Sequence, residues 1–218
     1  MADETLQTTT RRSDGERTHA AILGEAMRLA SIEGVHGLTI GRLAEALGVS
    51  KSGLYAHFGS KERLQLETIE AARGVFDEEV MRPALESAPG LPQLEAVIER
   101  FFSYLERGVF PGGCFFAGLL AEVDARSGRI HDLTAAWERE WLDEMAALVI
   151  EAQRVGQVPP DVDPHQVTFE LYACMELTNY HFVLFKDPSV VRRGRDAVGG
   201  IVDRAKASVT PRRRGAAS

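Results

Sequence analysis

Cysteine is almost missing from this 218-residue chain: Cys114 and Cys174 are its only two, too few for a disulfide framework. Long apolar runs are missing as well, and none approaches the roughly 18 residues that a bilayer-spanning helix needs. Met1 to Arg17 is polar and carries no signal-peptide core. There is no surplus of positive charge either: 25 basic residues face 32 acidic ones, for a net charge of −7. That excludes a chain coated all over with nucleic-acid-binding charge and leaves room for a local basic surface. Nine prolines and 20 glycines follow no collagen or low-complexity period. A reduced, cytoplasmic chain without membrane contact is the expectation. Its 44% hydrophobic content is enough for a sizeable core, in one large domain or in a small one joined to a larger.

Helix signals fill the sequence, and no alternating strand pattern interrupts them. Residues 1–16 read as a flexible arm. Ser13 and Glu16 have capping-box spacing, and behind them Ile22, Ala26, Leu29 and Ala30 share one helical face that ends at Gly34. Thr39 is placed to cap a second helix, Ile40 to Leu47. Gly48-Val49 breaks it, and Ser50 caps a third helix that runs to about Phe58. Gly59 breaks the chain again, and Ser60 caps a fourth helix from Lys61 to about Met81. Two short helices joined by a three-residue turn with Gly form a helix-turn-helix. Ala44 is small where those helices cross, and Gly48 can take the left-handed conformation the turn needs. Val49, Leu54 and Phe58 are expected in the small core.

The stretch Leu38 to Leu64, above all its tail Leu54-Tyr55-Ala56-His57-Phe58-Gly59-Ser60-Lys61-Glu62-Arg63-Leu64, resembles the DNA-binding signature of TetR-type transcriptional regulators. The likeness covers about Arg17 to Leu66; beyond that it rests on length and helical pattern. It implies an all-α fold of about nine helices. An N-terminal three-helix domain with the helix-turn-helix would span 17–60. A larger C-terminal helical bundle for ligand binding and dimerisation would span 61–210, with 211–218 a disordered tail. The third helix, opened by Ser50, would lie in the major groove. Lys51 is then the candidate donor to guanine, Ser52 reaches base or phosphate, and Gly53 lets the backbone approach the DNA. Thr39, Tyr55, His57 and Lys61 are similar to the family's phosphate contacts, which set register and salt-dependent affinity. Arg42 would reach a phosphate or a base, and Gly41 stands where some family members carry a base-reading side chain. Taken alone, Tyr55 also reads as an ordinary half-buried aromatic and His57 as a structural residue. Residues 1–60 hold six basic and seven acidic side chains. Arg42, Lys51 and Lys61, with Arg11, Arg12 and Arg17, must therefore share a face from which the acids turn away.

Past Pro83, Pro89, Gly90 and Pro92 a fifth helix is expected over about Leu94 to Arg107, and a short apolar sixth reaches Val123. A long seventh carries Ile130, Leu133, Trp137, Trp141, Met145, Leu148, Ala152 and Val155 as one stripe. Asp163-Pro164-His165-Gln166 is a start signal for an eighth, with Asp as cap and Pro at the first position. That helix is apolar nearly all round, so it must be covered on two sides. One face holds Val167, Leu171, Cys174, Thr178, Phe182 and Phe185; the opposite side holds Phe169, Tyr172, Tyr180 and Val183. A last helix carries Val191, Val198, Ile201, Val202 and Ala205. The first face of the eighth helix and these residues of the last are assigned to a seam with a second copy of the chain. The resemblance implies the same homodimer and a small effector inside the bundle. Candidate lining residues are Phe101, Tyr104, Phe116, Trp137, Trp141, Tyr172, Asn179 and His181, an aromatic set that is equally consistent with plain core.

No catalytic or metal constellation emerges. Glu33-Gly34-Val35-His36 has Glu-x-x-His spacing, but Gly34 ends its helix and no second copy exists. No Gly-x-Ser-x-Gly or phosphate loop occurs. Cys114 and Cys174 read as two separate buried thiols, or as a redox pair if the fold joins them. The expectation is a non-enzymatic, cofactor-free regulator, a ligand-released repressor on a palindromic double-stranded DNA operator. The alternatives are an activator of the same fold, or a helical small-molecule-binding protein or enzyme with an incidental helix-turn-helix.

Overall fold

A computed structural model describes residues 2–207, with side chains from Arg17 onward. Every regular element among them is helical. In chain order these are α1 (Ala2–Glu33), α2 (Ile40–Leu47), α3 (Lys51–Phe58) and α4 (Lys61–Phe76), α4 leading directly into a π-helical turn, Asp77–Met81, and a last turn, Arg82–Leu85. There follow α5 (Leu91–Glu106), α6 (Phe115–Val123), α7 (Arg129–Arg154), α8 (Pro164–Phe185) and α9 (Pro188–Ala207). Among the described residues no helix is long and apolar enough to cross a membrane.

The described chain divides into two compact units. The first runs to Val75 and takes in Phe110–Arg126; the second is Phe76–Val109 together with the chain from Ser127 on. The division thus falls fifteen residues past the boundary expected after residue 60, and α6 joins the smaller unit. Gln65, Thr68 and Ile69 explain the first shift, because their buried side chains make the face of α4 part of the first core. A further difference lies at the start. α1 is helical from Ala2, through the Ser13–Glu16 box and the residues expected as an arm. Residues 2–14 hold neither Pro nor Gly, so nothing in their backbone stops a helix from propagating backward. The expected tail, 211–218, lies outside the described residues.

In the first unit Ile22, Ala26, Leu29 and Ala30 of α1 are buried with Leu43, Leu54, Phe58, Leu64 and Ile69, and with Phe115, Leu119 and Val123 of α6. The second unit is held by α5, α7, α8 and α9. The Asp163 carboxylate accepts from the His165 and Gln166 N–H groups at 2.9 and 3.4 Å, which starts α8 where expected. α8 and α9 cross closely at Gly194, where a Cβ would meet Thr178 Oγ1. Arg195 of α9 donates to both Glu99 and Glu106 of α5 at 2.8–3.0 Å and lies over the Phe102 ring.

Candidate nucleic-acid interface

Local chemistry builds the helix-turn-helix. Thr39 Oγ1 accepts from the Arg42 N–H at 3.0 Å and starts α2; Ser50 Oγ accepts from the Gly53 N–H at 3.2 Å and starts α3. Between them Gly48 has φ +66°, a conformation that strains residues with a side chain. The N–H groups of Gly48 and Val49 close the end of α2 on the carbonyls of Glu45 and Ala44, at 3.3 and 3.1 Å. Leu43, Ala44, Leu54 and Phe58 are buried between the helices.

With Leu54 and Phe58 turned inward, α3 leaves Lys51, Ser52, Gly53, Tyr55, Ala56 and His57 exposed, and the helix contains no acidic residue. Tyr55 is 59% exposed, which removes the reading of it as a half-buried aromatic. Lys51, Ser52, Tyr55 and Lys61 line an open depression of about 520 Å³ floored by Ile40 and Gly41. A Cβ at Gly41 would lie 3.3 Å from Lys51 Cε and 3.4 Å from its Nζ. The glycine that leaves α2 without a side chain there is therefore a seat for the lysine. His57 is exposed, its ring 6.0 Å from that of His19 and 6.3 Å from that of Phe58.

Two residues differ from expectation. Arg42 is engaged within the protein, donating to the Glu33 carboxylate at 2.6–3.1 Å with Glu45 3.8 Å away. The Arg42 guanidinium holds the Glu33 carboxyl below the usual carboxylate range. Val49, expected in the core, is 50% exposed beside Ser50, because the left-handed Gly48 turns the chain outward there. It adds an apolar group to the face that sequence reasoning did not assign. Lys61 is exposed and its ammonium donates to the His36 carbonyl at 2.7 Å.

The eight effector candidates do not form one set within either unit. Phe116 lies in the first, beside Phe115. In the second, Phe101, Tyr104 and Asn179 are buried, and Trp137, Trp141, Tyr172 and His181 are half-buried. Phe76 meets Tyr104 and Trp141 edge-on at 5.8 and 5.3 Å. The Tyr172 hydroxyl is hydrogen-bonded with Glu138 and Glu176. Burial, and then the charge of Glu138, pushes the Glu176 carboxyl up to about 7, against the Tyr180 and Tyr172 hydroxyls; burial raises Glu138 as well. Neither glutamate stood out in the sequence, because they sit on different helices. Among the described residues no three His, Cys, Asp or Glu side chains are grouped so as to hold a metal ion.

The residues assigned to a seam between subunits lie largely inside the single chain. Val167, Leu171, Thr178, Val191, Val198, Ile201, Val202 and Ala205 are buried within a single chain, and Cys174 and Phe182 are half-buried. α9 turns its apolar stripe inward onto α8 and α5, and α8 does the same with that face, so little of either remains for a partner. An open apolar surface lies on the other side of α8, where Phe169 and Leu184 are 67% and 71% exposed and Leu177 and Tyr180 are open too.

A capped, acid-free helix presented on a glycine turn, in a chain whose described regular elements are all helical, defines a helix-turn-helix fold. A family model described as "Bacterial regulatory proteins, tetR family" matches residues 22–68, and one described as "Tetracyclin repressor-like, C-terminal domain" matches 90–198. The chain belongs to the tetR family of bacterial regulatory proteins. It is 32% identical over 82 residues to the nucleoid occlusion factor SlmA of Vibrio vulnificus strain YJ016, a match covering 38% of this chain and 42% of that one. The chain thus spans less than half the length of that relative. A TetR transcriptional regulator from Chloroflexus aurantiacus J-10-fl shares the fold with a TM-score of 0.80 at 23% identity, over 88% of this chain and 97% of that one. AibR in complex with isovaleryl coenzyme A and operator DNA shares it with a TM-score of 0.64 at 22% identity, over 85% and 96%.

Proposed function

We propose that the chain is a ligand-released repressor that grips a palindromic operator as a homodimer. The observation that carries this is the depression lined by Lys51, Ser52, Tyr55 and Lys61 at the exposed face of α3. Two ammonium groups, a hydroxyl and a phenol on one open surface suit a duplex edge, with Lys51 on bases and Thr39, Tyr55, His57 and Lys61 on phosphates. Ser50, Ser52 and Gly53 bring the start of α3 against the groove, and Arg42 adds a contact only by leaving Glu33. The seam is proposed on the open side of α8, through Phe169, Leu177, Tyr180 and Leu184, since an exposed apolar face of this extent calls for cover. Two copies then read half-sites about 34 Å apart.

For the effector, the proposed lining is Trp137, Trp141 and Tyr172 with Phe101, Tyr104, Asn179 and His181. Binding there favours a DNA-incompetent state through a coupling of about 1–3 kcal/mol. The complex of AibR with both isovaleryl coenzyme A and operator DNA supports a fold able to carry both functions. The protein works in the cytoplasm, and its chemistry is binding rather than catalysis. A gel shift on duplex DNA from upstream of the chain's own gene, with light scattering of the complex, tests the reading. Two chains per duplex and affinity falling steeply with salt are expected. Salt-insensitive binding, or one chain per duplex, overturns it.

A further inference from the structure

The loop that joins α1 to α2 has two backbone bonds of its own, from the Gly34 N–H to the Ala30 carbonyl at 3.0 Å and from the Leu38 N–H to the Val35 carbonyl at 3.1 Å, and side chains from elsewhere hold the rest. Glu122 of α6 accepts from the Val35 N–H at 2.7 Å and the His36 N–H at 2.6 Å, and its Oε1 lies 2.9 Å from His36 Nδ1. Gln65 of α4 donates to the carbonyls of Val35 and Leu38 at 2.6 and 3.3 Å, and Lys61 donates to that of His36. Gly34, at φ +80°, gives the carboxylate its seat: a Cβ there would lie 3.0–3.1 Å from three carboxyl atoms of Glu122. The next residue after this loop is Thr39, the cap that starts α2. Backbone groups held by an ionised carboxylate make strong, short hydrogen bonds, and two N–H groups on one carboxylate also fix its plane.

The two α4 side chains come from the same stretch of sequence as the helix-turn-helix. Glu122 does not. It lies in the 90–198 segment matched by the C-terminal family model, whereas the loop lies in the 22–68 segment matched by the N-terminal one. Phe110–Arg126 is also joined at both ends to the second compact unit, through Val109 and Ser127. A displacement of those flanking residues has a covalent route to this carboxylate.

We propose that Glu122 is a positioning residue for operator binding: its carboxylate fixes the loop before α2, and withdrawing it is how the C-terminal segment lowers DNA affinity. This rests on the DNA-binding reading above. Lys61 then joins two functions, because the ammonium assigned to a phosphate also secures the carbonyl of the loop that Glu122 holds by its N–H groups.

The test uses the full-length chain and the upstream duplex. Glu122→Gln keeps the shape, removes the charge and sets an amide donor against a backbone donor. At a temperature where circular dichroism shows the variant folded, its affinity should fall about tenfold. Its salt slope should stay that of wild type, because no phosphate contact is removed. By NMR the amide protons of Val35 and His36 should move upfield and exchange faster, with the other amides of α2 and α3 unchanged. Glu122→Asp, which keeps the charge but withdraws it by one methylene, is the second variant and should fall between the two. Wild-type affinity in Glu122→Gln, or in both variants despite changed Val35 and His36 amides, overturns the proposal. So does a Glu122→Asp variant equal to wild type beside a weakened Glu122→Gln, since charge alone would then suffice. Failure of the wild-type chain to bind the duplex sinks the DNA-binding reading instead, and the amide signals still report whether the carboxylate holds the loop.

Discussion

Lys51 and Lys61 carry the same charge and are assigned different work. Lys51 lies over Gly41 at the start of α3 and is proposed to meet base edges; Lys61 is tied to the His36 carbonyl beside the same depression. Lys51→Ala should therefore narrow the gap between operator and random duplex, with little change in salt dependence. Lys61→Ala should weaken both equally and reduce the slope of log affinity against log salt by about 0.9, the loss of one phosphate contact. Titration of the two variants against operator and random DNA at several salt concentrations checks both. Glu176 makes a pH prediction. Its carboxyl is raised to about 7 from the usual 4.5, so the folded chain holds a proton that the unfolded chain has released. Stability is then lost as pH rises from about 4.5 to 7 and is level above that. Glu176→Gln should remove this loss, on the order of 2 kcal/mol after allowing for solvent screening. In thermal melts its advantage over wild type should grow between pH 5 and 7 and stay constant to pH 8.

At the scale of the element, caps and breakers decided where helices start and stop, and each acts within four residues. Thr39, Gly48, Ser50, Gly59 and Asp163 all do what their types and spacing implied. Which face of a helix turns inward is a different question. Both sides of α8 are apolar, so periodicity could not choose between Leu171 with Thr178 and Phe169 with Leu177; contact with α7 and α9 chose the first pair for the core. The exposed pair then becomes the proposed seam. Leu177→Asp should give a folded monomer by light scattering. Its operator affinity should fall by at least about 100-fold, because the second half-site loses its effective concentration. Val198→Asp, at a buried position, should instead lower the melting temperature.

For the whole molecule, the unit that carries the helix-turn-helix is built from two separated stretches of chain. Phe110–Arg126 belongs with the residues up to Val75, bringing Phe115, Leu119 and Val123 into that core and Glu122 to the loop before α2. A fragment ending at residue 75 would expose that core and lose those bonds. Each hydrogen bond to a charged group is worth about 1.5–3 kcal/mol. Urea denaturation of the fragment should show a midpoint well below that of the full chain, or no cooperative transition. A fragment as stable as the intact protein would mean that α6 adds nothing to the unit.

The sequence by itself determined the helical class, the helix-turn-helix and its exposed residues from Lys51 to His57. Capping, glycine turns and helical periodicity are short-range effects written into consecutive residues. Tertiary structure alone decided that Arg42 pairs with Glu33, that Val49 faces outward, that α8 keeps Phe169 and Leu184 open, and that Glu122 reaches a loop 86 residues earlier. Those outcomes depend on which surfaces meet after the helices form, and a chain apolar on several faces leaves that choice to packing.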